Sequence, residues 1–171
     1  MDLELEILKE HSRHQAVRIT HWIGEDETRF AALMKLFLSG EQRIVQRSAW
    51  IVSLCGEQHP ALITPWLSKI VARAGETGVH NAVKRNSVRV LQFVEIPRRL
   101  QGRVANLCFD FLQNHTIPIA VKAFSMTVLV NIAKNEPDLK HEIGIVIEQM
   151  LPYGSAGIRS RAGKVLKQLS K

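Results

Sequence analysis

Val83-Lys84-Arg85-Asn86-Ser87-Val88-Arg89-Val90 is the stretch on which the fold turns. Val83, Ser87 and Val90 stand at offsets of zero, four and seven, which share one face of a helix. That face is apolar, and the small residue at its centre lets a neighbouring helix come close. The same frame recurs without gaps in Val45-Gln-Arg-Ser-Ala49-Trp-Ile-Val52, Val121-Lys-Ala-Phe-Ser125-Met-Thr-Val128 and Ile158-Arg-Ser-Arg-Ala162-Gly-Lys-Val165. The starts lie 38, 38 and 37 residues apart. A period this regular predicts stacked helical hairpins rather than a closed bundle.

A second marker keeps the same phase. Pro60, Pro97 and Pro137 each open a new amphipathic run, where a helix loses nothing by the missing N–H. Leu62, Ile63, Trp66, Leu67, Ile70 and Val71 form one apolar stripe. Leu100, Val104, Cys108, Phe111 and Leu112 form the next, and Leu139, Ile143, Val146, Ile147 and Met150 the third. These runs are the first helices of the hairpins. Gly24, Gly40, Gly56, Gly75, Gly78 and Gly154 are placed as stops or turns. The reading predicts about nine antiparallel helices, near 2–22, 25–38, 41–55, 60–74, 79–94, 97–114, 117–134, 137–151 and 155–170. No alternating run of strand length sits between turn signals, so no sheet is expected. One domain over 1–171 is expected, with a cap helix in 1–24 and hairpins in 25–56, 57–94, 95–134 and 135–171. The last helix should end the stack with Lys164, Lys167 and Lys171 facing water.

Over about residues 25–170 the chain resembles the HEAT repeats, two-helix units of roughly 40 residues or more. Their second helix carries a V-R-x-x-A-x-x-x-L pattern. Here it reads Val83-Lys84-x-x-Ser87-x-x-x-Leu91, Val121-Lys122-x-x-Ser125-x-x-x-Leu129 and Ile158-Arg159-x-x-Ala162-x-x-x-Leu166. The Val45 segment fits less well, with Gln46 and Ser53 at the variable points. The resemblance implies an all-α, right-handed α-α superhelix with second helices on the concave side. It says little about function. Typical units also carry an Asp five residues before the marker Val; here those places hold Gly40, Gly78, Thr116 and Tyr153. Lys84, Lys122 and Arg159 therefore lack that acidic partner. They either bond loop carbonyls or other acids, or add unneutralised charge beside the concave face.

The net charge is +7, and it is unevenly placed. Residues 1–42 hold five Lys/Arg against eight Asp/Glu, whereas residues 43–171 hold eighteen against eight. The positive field favours an anionic partner, or serves solubility alone. On the second helices, offsets two, six and nine should project from the core. They are Arg47, Ile51 and Leu54; Arg85, Arg89 and Gln92; Ala123, Thr127 and Val130; Ser160, Lys164 and Lys167. The candidate partner-binding residues are thus Arg47, Lys84, Arg85, Arg89, Lys122, Thr127, Arg159 and Lys164. Their cations flank an uncharged patch, which suits an acidic, partly apolar protein or peptide. A groove for nucleic acid should be basic throughout, and bases need exposed aromatics. Aromatic residues make up only 6%, with a single Tyr, and Trp50, Trp66 and the Phe residues sit on core-like stripes, so nucleic acid ranks second.

Other chemistry finds little support. His11, His14 and His21 fall within about an 80° arc if residues 10–22 are one helix, a weak metal candidate that Arg18 would oppose. No Gly-rich phosphate loop or G-x-S-x-G elbow is present. Alkylpurine DNA glycosylases, which are similar in using HEAT-like units, need an acid and tryptophans in a basic groove; no segment supplies that set. The expectation is a non-enzymatic, monomeric scaffold without a cofactor. No stretch reaches the ~20 apolar residues of a membrane span. The acidic, amphipathic start predicts no export signal. Cys55 and Cys108 have no second Cys nearby, which suits a reducing, cytoplasmic setting and small core roles.

Overall fold

The computed structural model describes residues 1–170; Lys171, expected on the last solvated face, lies outside the described residues. The described residues are helical with no strand. The helices are α1 (Leu3–Lys9), α2 (Arg13–Ile23), α3 (Glu27–Ser39), α4 (Gln42–Gln58), α5 (Pro60–Ile63), α6 (Leu67–Ala74), α7 (Asn81–Leu91), α8 (Arg98–Gln113), α9 (Ile119–Ala133), α10 (Leu139–Met150) and α11 (Ala156–Leu169).

Two departures from the nine expected helices have local causes. The first helix is a pair, because the Ser12 hydroxyl accepts from the Gln15 amide at 3.1 Å and starts α2 afresh. The run from Pro60 to Ala74 is divided by a 3₁₀ turn at Thr64–Trp66. Pro65 offers no N–H to the carbonyl one turn earlier, so the ladder tightens there.

The chain forms two compact units, Met1–Glu95 and Ile96–Lys171. In the first, α3 pairs with α4 and α6 with α7, while α4 lies along α7 and is also covered by α1 and α2. In the second, α8 pairs with α9 and α10 with α11, and α11 lies along α9. The repeat frame accounts for both. Val45, Val83, Val121 and Ile158 are all buried, as are Ala49, Ser87, Ser125 and Ala162, and Val52, Val90, Val128 and Val165. Equivalent positions of the four segments thus do equivalent work.

Three glycines are required by their surroundings. Gly24 (φ +53°) and Gly78 (φ +76°) sit at turns in the left-handed region, which favours glycine. Gly56, read as a stop, lies inside α4. A Cβ there would stand 2.0 Å from Val90 Cγ2 and 2.9 Å from Ile63 Cγ1, so glycine sets how closely α4 approaches α7.

Candidate functional site

The helices that carry the repeat frame are nearly free of acid. Residues of α4, α7, α9 and α11 include ten Lys/Arg and one carboxylate, Glu57. The first helices of the same hairpins hold eight basic residues and four acidic ones. The imbalance therefore belongs to the second helices, beyond the overall net charge.

In the first unit much of this charge is held internally. Arg47, expected to face a partner, donates through Nη1 to the carbonyls of Ile7 and Leu8 at 2.9 and 2.8 Å. It closes the C-terminal end of α1 against α4. Burial, then the neighbouring Arg43, holds its pKa below the ordinary value. Arg89 donates to Glu57 Oε2 at 2.5 Å and to Ser53 Oγ at 3.0 Å, and its guanidinium lies 5.7 Å from the Phe93 ring. Ser53 Oγ in turn lies 3.1 Å from Asn86 Oδ1. A polar chain thus ties α4 to α7. Arg18 likewise pairs with Glu6. That leaves Arg43 and Arg85, exposed, and Lys84, half-buried, without an ion pair among the described residues.

The second unit differs. Arg159 donates to the Gly154 carbonyl at 2.8 Å, one of the two outcomes expected when its acidic partner is absent. Lys164 is exposed. Thr127, read as part of an uncharged patch, accepts from Arg161 Nη1 at 2.7 Å, so a cation reaches that patch from α11. Lys122 is half-buried and turned into a cleft rather than onto the open face of α9. Burial holds its ammonium pKa below the usual value.

Some expected positions fail for a geometric reason. Ile51 and Val130 were placed on the projecting face but are buried, because α4 and α9 are each covered on more than one side. Arg161 was missed because its offset of three lies at the margin of the core face; its reach to Thr127 needs the neighbouring helix. The three histidines do not form one arc. α2 begins at Arg13, so His11 lies outside it, edge-on to the Trp50 ring at 5.7 Å between centroids. His14 and His21 are exposed on α2. Among the described residues no group of three His, Cys, Asp or Glu could hold a metal ion. Cys55 and Cys108 are free and buried, and burial pushes both thiols up to about 12, away from the nucleophilic thiolate.

Stacked hairpins with a buried repeat frame and acid-poor second helices define an α-helical repeat protein. A family model described as a HEAT repeat domain matches residues 3–169. The chain therefore belongs to the HEAT-repeat family, and the match includes α1 and α2. HEAT repeats generally serve as protein-interaction scaffolds and are typically non-enzymatic. No curated protein and no solved structure matches the chain. Among the described residues no helix is long and apolar enough to cross a membrane.

Proposed function

We propose that this protein is a non-enzymatic scaffold whose second helices hold an acidic, partly apolar protein or peptide. The observation that carries the reading is the ratio of ten cations to one carboxylate on those helices. An anionic surface gains on approach to such helices in either unit, and long-range attraction speeds encounter. Apolar groups stand beside the charge: Phe93 in the first unit, Ile119 and Tyr153 in the second, are exposed. Trp50, the aromatic nearest to Arg47 in the chain, is half-buried edge-on to His11, so it offers little free face for base stacking. Two free, buried thiols suit a reducing compartment, and we place the protein in the cytoplasm.

The test is affinity capture from the native cell at low and high salt, repeated with the double variant Arg85→Glu, Lys164→Glu. Both residues are exposed, so the variant should melt like the parent. The reading expects a protein partner retained at about 50 mM salt, released at about 500 mM, and captured at least fivefold less by the variant. A partner indifferent to both salt and charge reversal overturns it. Capture of nucleic acid, abolished by nuclease, would assign the same helices to a polyanion instead.

A further inference from the structure

Within the second unit a cleft of about 430 Å³ opens between the end of α8, the start of α9, the end of α10 and the turn into α11. Ile119, Val146, Met150 and Ile158 supply apolar wall, and Lys122 reaches into it. No Asp or Glu lines the cleft among the described residues. Lys122 has no ion pair or side-chain hydrogen bond among them either, although burial has removed part of its water. A partly dehydrated ammonium beside apolar wall, with Gln113, His115, Gln149 and Ser155 as the other polar lining, is complementary to a carboxylate that arrives with apolar neighbours. The lining runs out to the rim, where Ile119 is 53% exposed and Tyr153 92% exposed. A chain running across the mouth covers the water-facing parts of both, whereas a small ligand inside meets only the parts that face the cleft.

We propose that this cleft docks a short segment of a protein partner, with one carboxylate on Lys122 and one aliphatic or aromatic side chain against Ile119, Val146 and Met150. The inference rests on the reading of the chain as a scaffold for an acidic protein, and adds where and by what motif that protein is held. The site is distinct from the open face of the second helices, because Lys122 lies at the hairpin ends. One charge-assisted contact fixes register, and the apolar pocket adds the area that a surface ion pair lacks.

The experiment uses the full chain with labelled Ile and Val methyl groups. The probes are two pools of acetylated, amidated hexapeptides containing Leu and Phe, identical except for one Glu in the first and Gln in the second. The Glu pool should shift the methyls of Ile119, Val146 and Ile158 and bind about tenfold tighter than the Gln pool. Lys122→Gln should reduce that preference below twofold, Lys122→Arg should keep most of it, and Ile119→Ser should weaken both pools. If Lys122→Gln fails to fold, Ile119→Ser and the Glu-to-Gln ratio on the parent still decide. Equal binding of the two pools, or shifts absent from those methyls, overturns the proposal. Glu-pool binding that is lost in Arg85→Glu, Lys164→Glu but indifferent to Lys122 would overturn it too, while leaving the scaffold reading intact.

Discussion

In the first unit, Arg18 meets Glu6, Arg89 meets Glu57, and Arg47 closes on two carbonyls of α1. In the second, Arg161 meets a hydroxyl, Arg159 a loop carbonyl, and Lys122 and Lys164 meet no acid among the described residues. Composition already separates the two. Residues 1–95 hold twelve basic and eleven acidic side chains, residues 96–171 eleven and five. One helical-repeat frame thus serves two ends. Where carboxylates are at hand, more cations join helices; where they are scarce, Arg98–Glu136 is the one ion pair among the described residues of the unit. A count of basic residues on a face therefore measures neither cohesion nor recognition until each partner is known.

The largest effect should come from the frame the two units share. Val121 is fully buried in α9, and Val121→Asp places a carboxylate there without a partner. The expected cost is about 3–5 kcal/mol, enough to unfold a marginal domain. Retention of the parent's full helical circular dichroism at 37 °C would break the register on which the comparison stands.

A smaller effect would sharpen the contrast itself. Arg47→Ala removes a charged donor from two carbonyls at a helix end and should cost about 1.5–3 kcal/mol in denaturant unfolding. Arg161→Ala removes one bond to a half-buried hydroxyl and should cost about 0.5–1.5 kcal/mol. Equal costs, or a reversed order, would mean that the second unit's cations are as structural as the first's.

The smallest effect concerns pH. Hydrogen bonding from Gln15 leads the causes that hold the Glu6 carboxyl below its ordinary 4.5, with the charges of Arg18 and Lys9 acting in the same direction. As pH falls, the unfolded chain takes up this proton before the folded one does. The contribution of Glu6 is therefore complete above the ordinary carboxylate value and disappears as pH drops through its lower folded value. Urea midpoints followed from about pH 7 to about pH 3 should fall more steeply for the parent than for Glu6→Gln. Parallel curves would remove Glu6 from the first unit's cohesive pairs.

Reading the chain alone placed the candidate surface better by sign than by residue. Arg85 and Lys164 sit on open helix faces, as the offsets required. Arg47 and Arg89 satisfy the same offsets yet are engaged, because their acceptors come from residues some 30 to 40 positions away. Trp66, assigned to a core stripe, is only half-buried, with Lys69 Nζ 4.9 Å from its ring. The 3₁₀ turn at Pro65 rotates that stripe locally, and no periodicity count carries the rotation.

What the sequence determined by itself is the helical period, the buried face of each second helix and the scarcity of acid on those helices. These are local quantities: a side chain's direction on a helix follows from its offset, and charge counts follow from composition. Tertiary structure decided which cations find partners, where Gly56 lets α4 meet α7, and that Lys122 enters a cleft walled by four different helices. Those outcomes depend on distances between residues far apart in the chain, which a spacing rule within one helix does not contain.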